Sequence, residues 1–155
     1  MRIHDMPAIK NCLWFRTEAE QAAEHYLAIF PSSRVVQTMR GGDAVVAVEV
    51  ELDGRPFLLL NGRRSAAFTD ATSFVVPCAT QAEVDRYWAA LTDGGEEGQC
   101  GWLVDRFGVS WQVVPDGLTE LLFDPDPARA GRAMQAMLSM RKLDIGALRT
   151  AATGS

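Results

Sequence analysis

Phe74-Val75-Val76-Pro77-Cys78-Ala79-Thr80-Gln81-Ala82-Glu83 decides the fold, because its plan has already occurred once. The earlier copy is Cys12-Leu13-Trp14-Phe15 followed by Thr17-Glu18-Ala19-Glu20. Each is a short apolar run that reads as a strand, then T-x-A-E, which reads as a capping box. In such a box the Thr oxygen accepts the N–H three residues on, and the Glu side chain reaches back to the N-cap N–H. A helix is predicted after each box. The first has Ala19, Ala22, Ala23, Tyr26, Leu27 and Phe30 at helical spacing and stops at Pro31. The second has Val84, Tyr87, Trp88 and Leu91 and stops at Gly94-Gly95.

β-type text follows each helix. After the first come Arg34 to Met39, a Gly41-Gly42 break, and Ala44 to Leu52, where Val46, Val48 and Val50 alternate with Glu49 and Glu51. Asp53-Gly54 is a hairpin signal, and Arg55 to Leu60 returns as a strand. After the second come Glu96 to Trp102, the Phe107-Gly108 turn, and Val109 to Val114. The matched order predicts an α+β chain of two tandem βαβββ modules with curved mixed sheets, residues 8–62 and 72–115. A helical tail, 116–150, completes what reads as a single domain. In the tail, Leu118 to Phe123 is a short helix or turn. Asp126-Pro127 is an N-cap with Pro at the first helical position. Ala130, Ala133, Met134, Met137 and Leu138 then share one face, as core packing or as an oligomer contact. Lys142-Leu143-Asp144 begins one last turn, and Ala151 to Ser155 is expected to fray.

Composition sets the outer limits. A chain of 155 residues, 48% hydrophobic and 23% charged, suits one globular domain. Fifteen Lys plus Arg against twenty Asp plus Glu give a net charge of -5, which excludes sequence-independent nucleic-acid binding as the expected role. No run reaches the roughly 18 apolar residues of a membrane span, and the start lacks a signal-peptide core. A cytoplasmic protein without a membrane partner is expected. Cys12, Cys78 and Cys100 are an odd count without a CxxC, and read as small buried thiols in a reducing compartment.

Cys12 to Phe15, followed by Glu18-Ala19-Glu20-Gln21-Ala22-Ala23-Glu24-His25-Tyr26, resembles the opening of PhnB-like proteins. These belong to the vicinal oxygen chelate superfamily, with glyoxalase I, bleomycin-resistance proteins and dihydroxybiphenyl dioxygenase. The similarity continues through Leu60-Asn61-Gly62 and Ser73-Phe74 and is sharpest over GGEEGQCGWLVDRFGVSWQVVP, Gly94 to Pro115. With Asp124 to Pro127 and Ala133 to Leu138 it covers residues 8 to 150. The resemblance implies paired βαβββ modules around a concave small-molecule site, commonly in a homodimer. Many close relatives carry the label 3-demethylubiquinone-9 3-methyltransferase.

Superfamily enzymes place His and Glu on inward strands to hold a divalent metal that acts as a Lewis acid. On that pattern the last ligand position, after Asp105-Arg106-Phe107-Gly108, is Gln112. The first falls near Lys10 or Asn11, and the end of the first module offers Asn61. A divalent metal is possible through Gln112, but the usual His and Glu ligands are not evident, so no cofactor is assigned. Asn61 and Gln112 read instead as neutral anchors in a cup walled by Trp14 or Phe15, Trp102 and Trp111, with Cys100 counted among the ligand-binding residues, suited to a flat, partly apolar ligand. The same rings could simply fill the space between sheet and helices. Cys100 could be a nucleophile, but the sequence places no partner His for it, so it reads as a buried or semi-buried thiol. His4 and His25 read as surface residues. Gly41-Gly42 joins strands and Gly94-Gly95 closes a helix, so neither forms the strand-to-helix cradle of a nucleotide-type methyl donor. The expected function is binding of a small organic molecule. The alternative is a metal-dependent lyase, isomerase or dioxygenase, and methyl transfer is third. No catalytic residue is assigned.

Overall fold

The computed structural model describes residues 9–62 and 66–154, so His4 lies outside the described residues. The chain divides into two compact units, 1–67 and 68–155. In the first, β1 (Asn11–Phe15), α1 (Ala19–Ile29), β2 (Arg34–Gly41), β3 (Ala44–Leu52) and β4 (Arg55–Asn61) build a four-stranded sheet of order β1-β4-β3-β2. In the second, β5 (Phe74–Cys78), α2 (Gln81–Thr92), β6 (Glu96–Glu97), β7 (Trp102–Val104) and β8 (Ser110–Pro115) give the order β5-β8-β7-β6. Each sheet is mixed in the same way. The first and last strands of a unit run parallel, and the other pairs are antiparallel. The duplication seen in the sequence is thus a duplication of topology.

Alternation along the strands separates two faces. In the first unit Leu13, Phe15, Val48, Val50, Phe57 and Leu59 are buried and meet Ala19, Ala22, Ala23 and Tyr26 of α1, which packs on β3 and β4. The alanines leave room for the helix to lie close to the sheet. In the second unit Val76, Cys78, Leu103, Trp111 and Val113 are buried, and α2 brings Val84, Tyr87, Trp88 and Leu91 against them. The Asp53-Gly54 turn has both residues at positive φ, 51° and 74°, as a two-residue type I′ hairpin requires.

Four local expectations change. The first T-x-A-E does not cap α1: its N-cap is Glu18, without a side-chain cap bond, and the helix starts two residues beyond Thr17. The second box does cap, with Thr80 accepting from Glu83 N–H at 3.2 Å, while Glu83 accepts from Ala79 N–H at 2.8 Å. The expected strand from Glu96 to Trp102 is two strands, β6 and β7, separated by a turn in which Cys100 and Gly101 have positive φ. The tail forms α3 (Leu118–Leu122), α4 (Pro127–Leu138) and α5 (Ile145–Thr153). α5 runs through Thr153 rather than fraying at Ala151. Ala152 is buried, and its carbonyl accepts two bonds from the Arg132 guanidinium, which hold the helix end. On α4, Ala133 is buried, but Met134 and Leu138 are exposed. Leu118, Leu143 and Leu148 form the tail's own core.

Candidate functional site

Strand alternation sorts the expected site residues. In the second unit Trp102 lies directly opposite Gln112, and Leu103 opposite Trp111. Trp102 and Gln112, both half-buried, therefore share the face that α2 leaves open. Trp111 is on the other face, 3% exposed, its ring 5.3 Å from Phe74. Its indole N–H donates to Asp105 Oδ2 at 2.8 Å. Asp105 is itself buried and also accepts from the N–H groups of Phe107 and Val109 at 2.9 and 3.0 Å. The D-x-x-G turn is thus a hub that fixes Trp111 in the core. Gln112 donates its amide N–H to Ser73 Oγ at 2.9 Å, and its carbonyl oxygen has no partner among the described residues. Cys100, half-buried, sits on the β6–β7 turn, where its backbone N–H donates to Met140 carbonyl oxygen at 2.8 Å.

In the first unit Trp14 pairs with Leu60 and Phe15 with Asn61. Trp14 is therefore on the open face, and Asn61 is on the face of Phe57 and Leu59, toward α1. There Asn61 Oδ1 accepts from Ala19 N–H at 2.9 Å, and Nδ2 donates to Val45 carbonyl oxygen at 3.1 Å. Asn61 thus supplies the cap that Thr17 does not. Trp14 is half-buried, and Nε1 has no partner among the described residues. Gly62 is essential beside it, because a Cβ there would lie 1.4 Å from Nε1. Around Trp14 on the open face lie Leu58, Leu60 and Glu49. Glu49 accepts from Lys10 and from Gln37 Nε2, and those bonds hold its carboxyl below the usual carboxylate range. Alternation alone puts Glu49 on this face, but a Glu in a Val-Glu-Val-Glu strand reads as solvent-facing, so sequence reasoning passed over it.

Among the described residues a cleft opens on each unit. One, about 810 Å³, lies at the start of α1 between Arg16, Glu20, Asp43 and Asn61. The other, about 360 Å³, lies over β6 and β7 and reaches Trp102 and Ser110. Among the described residues no group of three His, Cys, Asp or Glu side chains could hold a metal ion. Asn61 Oδ1 already accepts a helix N–H, so the donors do not fit a resident divalent metal. The two strand-to-helix turns, Arg16 to Glu18 and Ala79-Thr80, contain no glycine that would let a backbone cradle approach a nucleotide. No helix among the described residues is long and apolar enough to cross a membrane.

Comparison with known proteins agrees with this architecture. A family model described as 3-demethylubiquinone-9 3-methyltransferase matches residues 7–114. The PhnB protein of Bacillus cereus is 27% identical, with a TM-score of 0.66, over 70% of this chain and 99% of its own. A Pseudomonas aeruginosa protein is 17% identical, with a TM-score of 0.63, over 71% and 98%. A variant of the fosfomycin resistance protein FosX of Listeria monocytogenes, complexed with Mn(II) and 1S,2S-dihydroxypropylphosphonic acid, shares the fold at 12% identity. Its TM-score is 0.58 over 75% and 97% of the two chains. No curated protein matches. With duplicated βαβββ topology and a model match across both units, the chain belongs to the family described as 3-demethylubiquinone-9 3-methyltransferase, the PhnB-like branch of the vicinal oxygen chelate superfamily.

Proposed function

We propose that this protein binds a small organic molecule on the open strand faces rather than transferring a methyl group. The observation that carries the reading is the Trp102–Gln112 pair. An indole and an amide face each other across β7 and β8, with the amide oriented by Ser73 and its carbonyl oxygen unengaged. An apolar plate beside a fixed acceptor suits a flat ligand that donates one hydrogen bond. Trp14, with its neighbours Leu58 and Leu60, offers a second apolar plate on the first unit. We read the protein as a cytoplasmic homodimer; the exposed apolar side chains Phe123, Met134 and Leu138 of the tail support the dimer.

Naphthol, a flat ligand with one hydroxyl donor, is a direct probe. Titration should quench tryptophan fluorescence saturably, and Gln112→Ala should weaken binding about tenfold, as expected when a ligand donor loses its acceptor. Equal binding by that variant would sink the reading. S-adenosylmethionine titrated by calorimetry should give no saturable heat, and a saturable isotherm would restore the methyl-transfer alternative.

A further inference from the structure

The smaller cleft carries chemistry beyond the Trp102–Gln112 pair. Its lining includes Ser110, a residue only 3% exposed. The hydroxyl makes no hydrogen bond among the described residues and keeps access to solvent, so it is open to pairing with what enters the cleft. Ser110 stands opposite Val104, and Val104 opposite Glu96, so these three share the open face with Trp102. Asp70 also lines the cleft. The carboxylates of Glu96 and Asp70 are exposed and enter no ion pair among the described residues. Glu97, the remaining acid of the lining, is already engaged by Trp88 Nε1 at 2.8 Å and by Arg141 at 3.7 Å. Among the described residues no lysine or arginine lines the cleft.

We propose that this cleft takes a small organic cation carrying a hydroxyl group, of the quaternary-ammonium alcohol class. The assignment rests on the reading of the open face as a binding surface and names the ligand for its β6–β7 end. The cation packs against the Trp102 ring, whose π face attracts a positive charge. Glu96 and Asp70 supply the net negative field, and the Ser110 hydroxyl pairs with the hydroxyl of the ligand. A cleft of about 360 Å³ is at the small end of ligand pockets, roughly 300–1,000 Å³. That size admits such an ion and excludes bulky ones.

Choline is the probe, titrated calorimetrically into the full-length protein beside its uncharged isostere with carbon in place of nitrogen. Choline should bind saturably, the isostere about tenfold more weakly or not at all, and added salt should weaken choline alone. Trp102→Leu should cost about tenfold in affinity, and Glu96→Gln and Ser110→Ala a few-fold each. The two conservative variants keep the test valid if Trp102→Leu destabilises the fold. Equal binding of choline and isostere overturns the proposal, as does displacement of choline by calcium, which would mark the carboxylates as a metal site. Failure of choline while naphthol still binds in a Gln112-dependent way overturns the cation assignment and leaves the binding face intact. Failure of both overturns the two together.

Discussion

Asn61 shows how one side chain can look like a ligand anchor and serve the fold. Its amide is spent on Ala19 N–H and Val45 carbonyl oxygen, so Asn61→Ala removes a helix cap and should cost about 1 kcal/mol in urea denaturation. Glu49 contributes to the pH dependence of the first unit. Its folded pKa is lowered by Lys10 and Gln37, so it adds stability above the unfolded value, about 4.3, and loses it as pH falls through the folded one. Lys10→Met should therefore destabilise the protein at pH 6 by about 0.5 kcal/mol, typical of an exposed pair. The difference should shrink as denaturation curves are taken toward pH 3. Cys12 is exposed, contrary to the expectation of three buried thiols, whereas Cys78 is buried. Burial, with Glu83 and Asp116 nearby, pushes the Cys78 thiol up to about 11. A maleimide at pH 7.5 should label Cys12 in the native protein and leave Cys78 untouched until denaturant is added; early labelling at Cys78, read by peptide mass, would contradict its placement.

At the scale of elements, the loop from Asp105 to Gly108 is the most stringent piece of the second unit. One buried carboxylate satisfies two backbone N–H groups and the indole of Trp111. Asp105→Ala leaves those donors without an acceptor and should cost about 3 kcal/mol, measured as a lower urea midpoint. The first two helices and the succession of elements along the chain were legible because apolar periodicity and turn chemistry are local. The cap of α1 was not, since Ala19 and Asn61 are 42 residues apart and only the folded sheet brings them together. The break between β6 and β7 was hidden because Gly-Gln-Cys-Gly contains a non-glycine residue, Cys100, at φ 59°. Trp111 and Gln112 are adjacent in sequence, so strand alternation already forbade both from walling one cup; their order on β8 decides which faces the open side. Ser110 gave no signal at all, because an unpartnered hydroxyl exists only once its surroundings do.

For the whole molecule, the homodimer reading predicts a light-scattering mass near twice 17.0 kDa, returning toward 17.0 kDa in Leu138→Glu; an unchanged mass in the variant would move the contact away from α4. The repeated strand order has a further consequence during synthesis. Among the described residues β1 is hydrogen-bonded only to β4, and β5 only to β8, so the first strand made in each unit is the last to find its neighbour. Leu13 waits for Leu59, and Val76 waits for Val113. A ribosome-bound chain ending before β4 exposes an apolar strand with no pairing edge to receive it, and closing such long-range contacts is slow. Each module thus emerges as a unit that is unfinished until its final strand clears the exit tunnel, and the chain passes through that vulnerable interval twice.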